Sequence, residues 1–146
     1  MTESVIISVE GTQRFLGEEA QTVQIVTEGT MKTEGTTVYL SYEESEVTGM
    51  EGTTTTFTVH PERVELVRTG TVQSKMVFEK GKKDVSLYDV GFGALTIGVK
   101  ARRLKNELGP TGGHLEISYG IEIGEEAKGL NSFVIDVRRC ENAVPQ

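Results

Sequence analysis

The residues of this chain that could carry chemistry are few and scattered. His60 and His114 are its two histidines, and Cys140 its one cysteine, in 146 residues. A three-histidine zinc site is impossible within one chain, and neither C-x-x-C nor H-E-x-x-H occurs. The acidic groups Glu43, Glu44 and Glu46, and Glu125 and Glu126, lack the D-x-D-x-D-G spacing of a calcium loop. They read as solvated turns. No G-x-S-x-G elbow presents a serine. Cys140 follows Arg138 and Arg139, cations of the kind that activate a thiol; the plainer reading is a free thiol on a strand end or tail. Gly91-Phe92-Gly93 with Gly98 has glycines but no helix after it to meet a phosphate, so these read as bulge glycines. No acid–base pair can be named. The expectation is a protein that is not an enzyme and holds no cofactor or metal.

Residues that could bind a ligand are easier to find. Arg68 continues the register of Val64 and Leu66 on what reads as one strand. A guanidinium on an inward face must be paired or must reach solvent. The structural reading puts Arg68 at a barrel mouth or pairs it with Glu44 or another carboxylate. The functional reading makes it the anchor of a ligand carboxylate, which arginine holds with two parallel bonds. Tyr42 and Tyr119 share inward registers and, with Tyr88, could supply stacking and hydroxyl bonds; a core tyrosine with a satisfied hydroxyl is the commoner outcome. Two basic groups, Lys75, Lys80, Lys82 and Lys83, and Lys100, Arg102, Arg103 and Lys105, would form one patch on adjacent strands. The plainer reading is an edge or outer face kept soluble by lysines, the other an anionic partner or ligand headgroup.

What must position these residues is sheet. Leu115, Ile117, Tyr119, Ile121 and Ile123 alternate with Glu116, Ser118, Gly120 and Glu122. Such alternation gives a strand with one dry and one wet face. The same period marks ten segments: 3–10, 21–33, 36–43, 53–60, 63–69, 71–79, 84–90, 93–104, 114–123 and 131–139. Thr53-Thr54-Thr55-Thr56 favours a pleat, because β-branched residues lose rotamer freedom in a helix. Segments 63–79 and 84–104 could each be one bent strand, so the range is about eight to ten strands, the size class of closed, ligand-sized barrels. Asn106 to Gly113 reads as a loop, and the only short helical stretches would be Leu104–Leu108 or Gly124–Leu130. A sheet this wide must curl, close or split, and short sequential connections favour a meander. The expected fold is all-β: one domain over 1–146, an antiparallel up-and-down β-barrel.

Composition narrows the partners. The net charge of −7 argues against a nucleic-acid or anionic-membrane binder. No apolar run approaches the ~18 residues of a membrane span. One cysteine and a start without the basic and apolar stretches of a signal peptide suggest a cytoplasmic, reducing setting.

Several strings together resemble one family. They are Val38-Tyr39-Leu40-Ser41-Tyr42-Glu43-Glu44, Arg68-Thr69-Gly70, Met76-Val77-Phe78-Glu79-x-Gly81, Tyr88 followed by Phe92-Gly93-x-Leu95, and the closing Ile117-Ser118-Tyr119. In order and spacing they resemble the YwiB-like family of small bacterial proteins, over roughly residues 3 to 138. The resemblance implies a calycin-like, that is lipocalin-like, β-barrel. It implies little about activity, since fold does not dictate function. Two readings follow: a barrel that binds a small amphipathic or anionic ligand through Arg68, Tyr42, Tyr88 and Tyr119, or a filled barrel serving as a protein-interaction or structural module. A continuous internal cavity favours the first.

Overall fold

Period-two alternation does build strands. The computed structural model describes residues 2–89, 94–123 and 126–139; the side chains of 86–89, 94 and 95 lie outside that description. Ten strands run through the described residues: β1 (Thr2–Phe15), β2 (Gln21–Glu34), β3 (Thr37–Glu43), β4 (Thr53–His60), β5 (Arg63–Gly70), β6 (Gln73–Glu79), β7 (Lys83–Asp89), β8 (Ala94–Gly109), β9 (Gly112–Ile123) and β10 (Glu126–Arg139). Each pairs antiparallel with its sequence neighbours, and β1 also pairs with β10, from Val5 opposite Arg139 to Phe15 opposite Gly129. The sheet is therefore a closed meander without free edges. Its thinnest seam is β6–β7, where Gln73 opposes Asp89 and Ser74 opposes Tyr88.

Three expectations about elements are corrected. The segments 63–79 and 84–104 are not long bent strands. Gly70 takes φ 112°, a conformation glycine alone adopts easily, and the chain reverses so that β5 and β6 form a hairpin. Residues 104–108 are strand rather than helix, and 126–130 belong to β10. The loop expected at 106–113 shrinks to Pro110 and Thr111, between the paired Gly109 and Gly112. One irregularity accounts for the helical look of 104–108. Pairing with β9 slips between Ala101 and Arg103, which leaves Arg102 as an extra residue. Inward positions change from odd to even there: Ile97, Val99 and Ala101, then Leu104 and Leu108, all reach the core. A spacing of three followed by four imitates a helix, yet it is a strand with a bulge.

The inward set is apolar. Val5, Ile7, Leu40, Phe57, Val59, Val64, Leu66, Phe78, Leu115, Ile117 and Ile135 are fully buried. Burying each such side chain stabilises the fold by roughly 1.5–3 kcal/mol. Gly29 sits where β1, β2 and β3 crowd together; a Cβ there would lie 2.4 Å from the Ser41 carbonyl oxygen and 2.5 Å from Ile7 Cδ1. Outward positions such as Thr54, Thr56, Thr58 and His60 on β4 are polar. Apolar in and polar out is the reverse of a membrane-spanning barrel.

Candidate ligand cavity at one end of the barrel

The up-and-down order sorts the connections between two ends. Residues 35–36, 61–62, 80–82 and 110–111 join strands at one end; 16–20, 44–52 and 71–72 do so at the other. The second end holds a cavity of about 650 Å³, within the ~300–1,000 Å³ usual for small-molecule sites. Its wall includes Val9, Ile25, Met76, Ile97, Ile121 and Phe133. Its rim includes Phe15, Val23 and Ile123, which are 51%, 44% and 39% exposed, so the cavity opens to solvent. Aromatic rings separate it from the packed half below. Tyr119 lies 4.7 Å from Phe78 and 6.0 Å from Phe133, and Phe133 meets Phe57 edge-on at 5.8 Å between centroids.

One row of cross-strand neighbours turns polar where the cavity begins. Tyr42 opposes Thr55, Thr55 opposes Arg68, Arg68 opposes Ser74, and Ser74 opposes Tyr88 on five successive strands. Glu44, just past the end of β3, keeps the inward parity of Val38, Leu40 and Tyr42, and its side chain is 1% exposed. Its oxygens accept hydrogen bonds from the Thr48 hydroxyl, at 2.9 Å, and the Thr55 hydroxyl. The Glu44 amide donates to the Thr53 carbonyl, which anchors the 44–52 connection beside the cavity. Arg68 Nε stands 3.9 Å from Glu44 Oε2, an ion pair without a hydrogen bond. Arg68 Nε and Ser74 Oγ are buried and have no hydrogen-bond partner among the described residues. Burial, and then the Glu44 carboxylate, push the Tyr42 phenol well above its ordinary range. It is a neutral hydroxyl at physiological pH.

The expected site residues fall into place unevenly. Arg68 does point inward, lines the cavity and faces Glu44. Tyr42 and Tyr119 line it too, each 4% exposed; Asn131 Nδ2 lies 3.5 Å from the Tyr119 hydroxyl. Tyr88 shares the polar row by register, but its side chain lies outside the described residues, as do Cys140, Glu125 and Gly91 to Gly93. Glu44 corrects the reading of Glu43, Glu44 and Glu46 as one solvated turn: Glu43 and Glu46 are exposed, Glu44 is buried. The signal was its parity with Tyr42. Ser74 was missed altogether, although it shares its parity with Met76 and Phe78.

Other candidates lie outside the cavity. The basic groups meet on the outer wall, where Lys83 opposes Lys100. Much of that charge is paired there: Lys83 with Glu122 at 2.7 Å, Lys82 with Glu79 and Arg103 with Glu116, both at 3.3 Å. His60 Nδ1 is 3.3 Å from the Thr37 hydroxyl. His114 sits on the outside between Asp136, at 2.6 Å, and Glu116, at 2.7 Å. Among the described residues no group of side chains has the makings of a metal site, and no helix is long and apolar enough to cross a membrane.

Comparison with known proteins fits this architecture. Residues 7–135 match the family described as "Domain of unknown function (DUF1934)". The chain belongs to that family. A relative, the "Uncharacterized beta-barrel protein YwiB" of Bacillus subtilis (strain 168), is 28% identical over 98 residues, covering 67% of this chain and 68% of the relative. The crystal structure of the ywiB protein from Bacillus subtilis superposes with a TM-score of 0.84 at 20% identity, over 96% of this chain and 94% of that one. The fold expected of the YwiB-like resemblance, an all-β antiparallel barrel, is thus the fold of this chain, with ten strands among the described residues.

Proposed function

We propose that this DUF1934-family protein is a non-enzymatic binder of a small amphipathic molecule. The apolar body of the ligand would fill the cavity, and its headgroup, a carboxylate or similar acceptor, would reach Arg68. One observation carries the reading. A cavity of about 650 Å³ with apolar walls ends on a buried guanidinium whose Nε has no acceptor among the described residues. Buried donors without partners are rare, and each calls for an explanation. Ser74 Oγ, opposite Arg68, is a second buried polar atom without a partner among the described residues. Two convergent polar groups at the base of an apolar cleft are the usual arrangement of a small-molecule site. Tyr42 and Tyr119 would add a neutral hydroxyl and a ring face. The cavity weighs against a barrel filled throughout and used only as an interaction module.

Thermal melts with dodecanoate and with dodecanol test the reading, alongside native mass spectrometry of the freshly purified protein. Dodecanoate should raise the melting temperature of the parent. In Arg68→Met its binding should weaken by about tenfold or more, the scale of one hydrogen bond to a charged group. The same substitution leaves the buried Glu44 carboxylate without its counter-charge, with only Thr48 and Thr55 still bonded to it, and should cost the free protein about 3 kcal/mol, so binding is compared at a temperature where the variant is folded. No shift with either compound, and no retained small molecule, would end the proposal.

A further inference from the structure

The polar end of the cavity is already balanced in charge. Three charged side chains line the cavity: Glu44, Arg68 and Lys128. Lys128 is taken up by Glu126 at 3.1 Å. The other two face each other in the interior, their side chains 1% and 10% exposed, with Arg68 Nε 3.9 Å from Glu44 Oε2. For any headgroup that comes to rest between them, the two charges largely cancel. A carboxylate there would give up its hydration to a pair that is already complete, and would stand beside the like charge of Glu44. An ammonium group would meet the same difficulty with Arg68. Neither ion recovers what it loses on leaving water.

The hydrogen-bonding positions ask for something else. The distance between Arg68 Nε and Glu44 Oε2 is too long for a bond, and Nε donates to nothing among the described residues. Glu44 Oε1 accepts from the Thr48 hydroxyl and Oε2 from the Thr55 hydroxyl, and the neutral Tyr42 phenol stands beside them. An ionised carboxylate offers about four lone-pair positions, so one donor more can be accommodated. A donor in want of an acceptor therefore lies next to an acceptor with room to spare. Resting on the binding function proposed above, we infer that the headgroup held there is uncharged and both accepts and donates: a primary carboxamide at the end of an aliphatic chain. Its carbonyl oxygen accepts from Arg68 Nε and its N–H donates to Glu44. The chain lies along Val9, Ile25, Ile97 and Ile121. A fatty acid can make both bonds only after taking up a proton, which makes its carboxylate the weaker ligand.

Calorimetry with three eight-carbon compounds separates the cases: octanamide, octanoate and octylammonium, near pH 8, where the last two are ionised. In the parent, octanamide should bind about tenfold tighter than either ion, the scale of one hydrogen bond to a charged group. Glu44→Gln leaves a net positive site, and the order should turn to octanoate over octanamide. Arg68→Met leaves a net negative one, and octylammonium should take the lead. Each order is read within one variant at a temperature where it is folded, so a loss of stability does not enter. The double variant Glu44→Gln/Arg68→Met strands neither charge and keeps the test open should a single variant fail to fold. It should bind octanamide about tenfold more weakly than the parent does. If the parent prefers octanoate or octylammonium, the inference fails while the binding function stands. It fails equally if octanamide keeps its lead over octanoate in Glu44→Gln, or if the double variant binds octanamide as the parent does. If none of the three binds, and dodecanoate and dodecanol do not either, the binding function itself fails.

Discussion

The two halves of this barrel are built from the same strands with the same alternation, yet one is solid and the other is open. In the closed half the inward positions are Val5 and Ile7 on β1, Leu40 on β3, Phe57 and Val59 on β4, Phe78 on β6 and Ile135 on β10, all fully buried. Further along β1 the inward positions become Gly11, Gln13 and Phe15, and earlier on β10 they become Gly129 and Asn131. Volume appears where the large side chains stop. A Cβ on Gly11 would meet the Phe133 ring at 3.9 Å and nothing nearer, so that position has room to spare. Packing to native density is a choice made at each inward position, and here it is made in only half of the barrel. The charges follow the same division: the buried Glu44–Arg68 pair sits at the boundary, where a side chain can face both a packed wall and an open space.

The largest expected effect separates the halves by stability. Phe57→Ala should cost about 3–5 kcal/mol through lost burial and the void it leaves, whereas Val23→Ala at the rim should change stability by less than about 0.5 kcal/mol. Urea denaturation of both variants would show this, and equal losses would erase the distinction between a packed and an open half. Next comes the boundary. Glu44→Ala removes the acceptor of the Thr48 and Thr55 hydroxyls and the counter-charge of Arg68. A loss of about 3 kcal/mol is expected, the lower end for breaking a buried pair, since Arg68 borders a cavity open to solvent. Glu43→Ala, one residue away and exposed, serves as the control; similar losses in both would mean that Glu44 is not a keystone.

A third change acts on the cavity alone. Gly11→Val adds apolar volume to the wall at a position with room for it, in a strand that favours β-branched residues. Stability should move by less than about 1 kcal/mol, while dodecanoate binding falls. Undiminished binding would place the ligand elsewhere. The smallest effect belongs to the outer wall. Asp136, and then Glu116, raise the pKa of His114 above its ordinary 6.5. Protonated His114 therefore stabilises the fold fully below about pH 6.5, and that contribution is lost as pH rises through the higher folded value. Because these groups are near the surface, it should amount to less than about 1 kcal/mol. Melting temperature followed from pH 6 to 8 should fall slightly in the parent relative to His114→Gln. A cavity whose ligand affinity follows the same titration would contradict the separation of wall and interior.

Sequence by itself determined that this is a β-barrel and which residues face inward. Alternation is a local property, written residue by residue, and the ten segments keep it closely enough that Arg68, Tyr42 and Tyr119 could be placed on the inner face from parity alone. Where parity changed, the reading went astray. The extra residue at Arg102 shifts Leu104 and Leu108 into register with the core, and the resulting spacing looks helical because a bulge cannot be told from a turn of helix by spacing. Tertiary structure decided the rest. That Thr55, Arg68 and Ser74 stand side by side follows from strand pairing between segments with no sequence relation to one another. The burial of Glu44 depends on a connection that folds back so that Thr48 meets its carboxylate. The cavity belongs to no segment at all: it is the space left when β1, β2, β9 and β10 run on past the packed rings with small, polar or rim-facing side chains, and only a closed barrel turns that remainder into a site.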